Sequence, residues 1–176
     1  MRASASEELK HLPRHIAVLV AAVIGILSAS SLRAESCRVD HCHDGDTCTL
    51  DCAGQIVKVR LYCVDAPEIG QKPWGRISRD FLRERLPAGS SVELLRVPGQ
   101  RDRRQRTIGV LLQPDGVNLN LDQVQSGWAA VYPQYCADPV YYMAQEDAEA
   151  QRRGIWRTGG AQQRPWEWRA AKRRRG

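Results

Sequence analysis

All six cysteines of this 176-residue chain lie between positions 37 and 136, beyond an unbroken apolar run of twelve residues at 16–27. No other feature constrains the fold as much. Lys10 and Arg14 precede the run, and small residues follow it as far as Ala34. A basic start, a short apolar stretch and a small residue at the end predict a signal peptide over 1–34. The run falls short of the ~20 residues that a membrane-spanning helix needs. The segment is expected either to be cleaved after Ala34 or to stay as an uncleaved N-terminal anchor. In both cases the remainder is exported, secreted or periplasmic. In an oxidising compartment an even number of cysteines predicts disulfides. Zinc is the weaker alternative: the chain has no Cys-x-x-Cys pair, and only His41 and His43 lie near the cysteines.

Removal of the leader leaves 142 residues, enough for one domain with a tail. A hydrophobic fraction of 43% with 26% charged residues excludes wholesale disorder. The net charge of +6 is unevenly spread: residues 152–176 hold nine basic side chains against Glu167 alone, whereas residues 35–151 hold thirteen basic against seventeen acidic. A body that is slightly acidic and a tail that is strongly basic argue against a uniformly basic nucleic-acid binder.

Segments 37–43 and 46–52 flank the turn His43-Asp44-Gly45-Asp46, and Asp-Gly is a strong hairpin signal. Ala53-Gly54 marks a second turn. Over 55–63, Ile56, Lys58, Arg60 and Tyr62 alternate with Val57, Val59, Leu61 and Cys63, the period of a half-buried strand. A three-stranded meander is expected, followed by a loop over 64–68. A helix is predicted over 76–85, with Ile77, Phe81, Leu82 and Leu86 on its apolar face. Strands are predicted at 92–97 and 107–112, and helices over 117–128 and 139–153, the last starting at Pro139. Residues 157–176 read as a linker with a basic end. The fold class is α+β, and short curved strands capped by helices suit a closed barrel of the oligonucleotide-binding kind.

Asp44 and Asp46 flank the glycine of the first turn, Asp65 follows the third strand, and Glu68 lies three positions further on. If the strands pair, Asp46 and Asp65 meet at one end of the sheet. Carboxylates with a carbonyl oxygen suit a hard cation, calcium or magnesium. An arginine beside them, Arg60, suits a phosphate. Taken alone, an Asp-Gly turn is usually only a turn.

Asp44-Gly45-Asp46-Thr47, then Val59-Arg60-Leu61 and Val64-Asp65-Ala66-Pro67-Glu68, then Gly99-Gln100-Arg101-Asp102 leading to Arg106, resemble the staphylococcal nuclease family in order and spacing. Gly127-Trp128-Ala129 with Tyr132 and Tyr135, Gly154-Ile155-Trp156, and the closing Pro165-Trp166-Glu167-Trp168-Arg169 continue the match. The resemblance implies a five-stranded OB-fold β-barrel with three α-helices over 35–157, leaving 158–176 as a basic C-terminal tail. It implies calcium-dependent hydrolysis of phosphodiester bonds in DNA and RNA, single-stranded or frayed, by a monomer, with 3′-phosphate products. By position, Asp46, Asp65 and the backbone carbonyl of Ala66 would hold Ca2+, with Asp44 supporting them. Arg60 and Arg106 would clamp the phosphate, and Glu68 would orient or deprotonate water. Arg103, Arg104, Tyr132 and Tyr135 would contact nucleic acid. The chain departs from the family pattern where an aromatic is replaced by Arg104 and a turn glycine by Gln105, so Arg103 and Arg104 remain alternatives to Arg106. Pro133 replaces one of two tyrosines expected near the base.

On that scheme, folding the first two strands back at Asp44-Gly45 sets Cys37 against Cys52 and Cys42 against Cys48. The two pairings are offset by one residue, which requires a bulge. Cys63 and Cys136 then remain. This is one of 15 connectivities, and buried thiols are the alternative. The tail is either a nonspecific nucleic-acid contact or a solvated terminus. Two further readings of the whole chain are a non-catalytic nucleic-acid-binding barrel and a disulfide-rich domain with acidic turns.

Overall fold

The computed structural model describes residues 34–159 and 164–175. The expected leader, all but its last residue, lies outside the described residues. Among those described, no helix is long and apolar enough to cross a membrane. The elements are β1 (Glu35–Cys42), β2 (Thr47–Cys52), β3 (Gln55–Leu61), β4 (Val64–Asp65), α1 (Trp74–Arg85), β5 (Ser91–Arg101), β6 (Thr107–Leu112), α2 (Leu119–Gln125), β7 (Ala130–Val131), α3 (Pro139–Ala150) and α4 (Pro165–Arg175). Short 3-10 turns at Pro133–Tyr135 and Gly154–Trp156 complete them.

Five strands close a mixed barrel in the order β1-β2-β3-β6-β5, with β5 returning to β1. The β1-β2-β3 meander is antiparallel, and β3 pairs with β6 in parallel. Alternation in β3 works as its sequence predicts: Val57, Val59 and Leu61 point into the core, while Ile56 and Lys58 face outward. A parallel partner demands a long crossover, and residues 62–106, including α1 and β5, supply it.

The structure forms disulfides Cys37–Cys52, Cys42–Cys48 and Cys63–Cys136 and leaves no free cysteine among the described residues. Cys42 and Cys48 are direct cross-strand partners, and the β1-β2 register shifts between Val39 and His41. That bulge absorbs the one-residue offset between the two cross-strand bridges.

Three local readings are corrected. Val64 and Asp65 are not loop: they form β4, which pairs with β7 through Val64–Val131 and Asp65–Ala130. Helix α1 buries Gly75, Ser78 and Leu82, whereas Ile77 is 38% exposed. The helix lies so close to the acidic turn that its buried stripe must be small. A Cβ placed on Gly45 would stand 1.9 Å from the Ser78 hydroxyl oxygen and 2.8 Å from the Ala66 Cβ. Gly45 is therefore required by close approach and not by a left-handed backbone. Helix α2 starts later than expected, because the Asn118 side chain caps it, accepting from the Leu121 N–H at 3.1 Å, and it ends at Gln125, ahead of the left-handed Gly127.

The fourth helix is the main difference from the expected three. Residues 165–175, read as part of a linker and basic tail, form α4. Pro165 stands at the first helical position, Glu167 in the first turn, and Lys172, Arg173, Arg174 and Arg175 in the last. Those placements match the polarity of the helix dipole. A helix this short is marginal alone and needs tertiary contact.

Candidate active site

One end of the barrel carries a cleft of about 670 Å³. Its floor is the turn between β1 and β2. The Asp46 N–H donates to the Asp44 carboxylate at 3.0 Å, which folds the turn on itself. Asp46 is buried and almost fully engaged: Oδ1 accepts from the Thr47 hydroxyl at 2.9 Å, and Oδ2 accepts from the Ala66 N–H at 2.8 Å. The second bond ties the turn to the segment after β4. Gln123 of α2 braces the turn from below, donating to the Gly45 carbonyl at 2.6 Å.

Asp65, 2% exposed, is held by the β4-β7 pairing. Arg60 reaches from β3 between the two aspartates: Nη1 is 2.5 Å from Asp46 Oδ1, and Nη2 is 3.7 Å from Asp65 Oδ1. Burial, with the Asp46 carboxylate beside it, pushes the Asp44 carboxyl up to about 7. Burial also raises Asp65, against the pull of Arg169. Three carboxyl groups are thus crowded into a confined site. Hard carboxylate oxygens gathered from two chain segments fit a hard divalent cation such as calcium. Among the described residues, the group of three whose ligand atoms lie within 4.8 Å of one another is Glu35, Cys37 and Cys52, but its two sulfurs are bonded to each other.

Arg106 enters from the turn before β6. Asp102 grips it through Nε at 2.7 Å and Nη2 at 2.6 Å, leaving Nη1 to donate to the Thr47 hydroxyl at 2.9 Å. Arg103 and Arg104 belong to the same turn but are exposed at the rim of the cleft. Gln105, where the family pattern has glycine, adopts φ +61°, a left-handed conformation that glycine takes without strain. Glu68 follows β4 in a loop with its side chain 45% exposed to the cleft. Tyr132 and Tyr135 stand edge to face, 5.0 Å between ring centroids, on the opposite wall. The Arg60 guanidinium lies 5.9 Å from the Tyr132 ring. The Cys63–Cys136 bridge anchors this wall to the end of β3.

Asp44, Asp46, Arg60, Asp65, Ala66, Glu68, Arg103, Arg104, Arg106, Tyr132 and Tyr135 therefore share one cleft. Sequence reasoning did not place Arg169 in the cleft. Arg169 of α4 donates to Asp65 through Nη1 at 3.0 Å and Nη2 at 2.7 Å, and to Glu68 at 3.3 Å. The proline, early glutamate and late basic residues of 165–175 were a legible helix signal, but nothing local located the helix beside the acidic site.

Known proteins are similar to this sequence over most of its length. The family profile described as staphylococcal nuclease homologue matches residues 58–158. An uncharacterized endonuclease of Escherichia coli O157:H7 is 40% identical over 135 residues, covering 77% of this chain and 85% of the relative. An uncharacterized endonuclease of Haemophilus influenzae is 38% identical over 148 residues, 84% of this chain and 80% of the relative. A micrococcal nuclease of Shigella flexneri is 33% identical over 168 residues, 90% of this chain and 92% of the relative.

Proposed function

The chain belongs to the staphylococcal nuclease family, and on that basis we propose that it is an exported, calcium-dependent nuclease that hydrolyses DNA and RNA and leaves 3′-phosphate ends. The observation that carries the proposal is the convergence of Asp46, Asp65, Arg60, Glu68 and Arg106 on one cleft. A non-catalytic binding barrel would not need that set. Hydrolysis of a phosphodiester places developing charge on the oxygens of a five-coordinate phosphorus, so preorganised donors are the main requirement.

Asp46, Asp65 and the Ala66 carbonyl would hold the cation, with Asp44 supporting them; the bound ion would supply charge neutralisation and orientation of the reactants. Arg60 is fixed by Asp46, and Arg106 by Asp102 and Thr47, so both guanidinium groups are oriented before substrate arrives. Each presents a fork to phosphate oxygens. Arg103 and Arg104, solvent-facing at the rim, suit contacts to flanking phosphates. Glu68 is the carboxylate nearest solvent in the cleft and would orient or deprotonate the attacking water. Tyr132 and Tyr135 would stack on a base, which favours a single strand. Three disulfides support export to an oxidising compartment.

The test is digestion of single-stranded DNA and RNA by the oxidised protein, with calcium and with chelator, followed by end-group analysis. Cleavage with calcium that leaves 3′-phosphates is expected. Absence of cleavage with calcium would remove the enzyme reading, and 5′-phosphate ends would remove the product assignment.

A further inference from the structure

Arg169 sits where a cation is needed. Its guanidinium engages both oxygens of Asp65, a proposed metal ligand, and one oxygen of Glu68, the proposed water-orienting group. It comes from a separate element, 104 positions from Asp65. Asp65 in turn holds Arg169 strongly protonated. Helix α4 is seated on the same loop by Trp168: a Cβ on Gly70 would stand 3.6 Å from that indole ring. Its remaining cations, Lys172 to Arg175, are exposed, and Lys172 lies 5.3 Å over the Trp168 ring. Arg169 is thus the one basic residue of α4 committed to the carboxylates.

We propose that Arg169 is the resident cation of Asp65 and Glu68, as Arg60 is of Asp46, and that it and a divalent metal compete for Asp65, so that metal loading releases α4 from the cleft. The inference rests on the metal assignment made above. A guanidinium fork fills the lone pairs of Asp65 that face the cleft, and a divalent ion beside it would bring like charges together where burial leaves them poorly screened. Retention of both is therefore disfavoured. The exchange also frees Glu68, since the same Nη1 holds it. Metal binding and liberation of the water-orienting carboxylate become one event. The helix acts as a strap that keeps Asp65 and Glu68 neutralised until calcium is abundant. Competition of this kind weakens apparent metal affinity by the fraction of molecules in which the strap is open.

The test is calcium titration by calorimetry of the disulfide-bonded, chelator-stripped full chain, comparing the unmodified protein with Arg169→Gln. The variant is expected to bind calcium about tenfold more tightly, as for a strap open in roughly a tenth of molecules. Equal or weaker binding by the variant, with calcium still bound by both proteins, would overturn competition while leaving the metal site intact. Absence of binding by both would overturn the metal assignment along with it. Hydrogen exchange over residues 165–175 of the unmodified chain gives a second measure that needs no variant. Calcium is expected to speed exchange there, and slower exchange would show that metal and Arg169 act together and would overturn the proposal.

Discussion

The Nη1 group of Arg106 donates to the hydroxyl of Thr47 at 2.9 Å across 59 positions of sequence, and that hydroxyl donates in turn to Asp46. One arginine of the cluster at 101–106 is thereby joined to the acidic turn. Arg103 and Arg104, three and two positions before it, stay at the exposed rim.

Turnover of single-stranded DNA by Arg106→Ala is therefore expected to be slower by about 10²- to 10³-fold, the usual loss for one electrostatic donor. Arg103→Ala and Arg104→Ala should leave turnover within a few-fold and each reduce the salt slope of binding by about 1. A kinetic series across ionic strength checks both; a collapse of turnover in Arg104→Ala would move the catalytic role to that residue.

Glu68→Gln keeps the shape of the side chain and removes its charge. Turnover is expected to slow by about 10²- to 10⁴-fold through loss of the group that orients or deprotonates water. Calcium affinity should not weaken, because Glu68 is not among the proposed ligands. Turnover and calorimetry on the same preparation separate the two effects.

Acid is expected to loosen the turn that carries Arg106. Burial pushes the Asp102 carboxyl up, but the Arg106 side chain and the backbone N–H groups of Arg106 and Arg104 outweigh it and hold the pKa below its usual value. With the folded value below the unfolded one, the stabilisation is complete above the ordinary carboxylate range, near ~4, and is lost as pH falls through the folded value. Asp102→Asn should thus have a lower Tm than the unmodified protein at neutral pH, and the gap should narrow below about pH 4. A gap that is constant with pH would show that the ionised pair is not the source.

The three bridges should differ in worth. Cys63–Cys136 spans 73 positions and Cys42–Cys48 spans 6. On loop-closure entropy the longer one stabilises by about 2 kcal/mol more. Denaturant unfolding of the paired serine variants, Cys63→Ser/Cys136→Ser against Cys42→Ser/Cys48→Ser, measures the difference. The first pair should also raise KM, because that bridge anchors the Tyr132–Tyr135 wall.

The meander was legible because its signals are local. Turn residues at Gly45 and Gly54 and the alternation of Val57, Val59 and Leu61 specify neighbouring strands that need no distant partner. The resemblance to the staphylococcal nuclease family singled out Asp46, Asp65, Arg60, Glu68 and Arg106, and the structure brings all five to one cleft. The stripe of α1 was legible in part: Leu82 and Leu86 are buried as expected, but Ile77 is exposed, because apolar periodicity does not reveal neighbours so close that Gly75 must face the Glu68 carbonyl and Ser78 must face Gly45.

Residue types and short-range spacing determine which groups this chain has for chemistry, where its strands turn, and which cysteines a bulged hairpin can pair. Closure of the barrel through parallel β3-β6, the clamping of Asp65 by β7, the selection of Arg106 by Thr47, and the arrival of Arg169 at Asp65 depend on contacts between distant segments. No local propensity or period encodes such contacts. They emerge when burial of the shared core brings the segments together, and each is specified by partners that only the packed chain supplies.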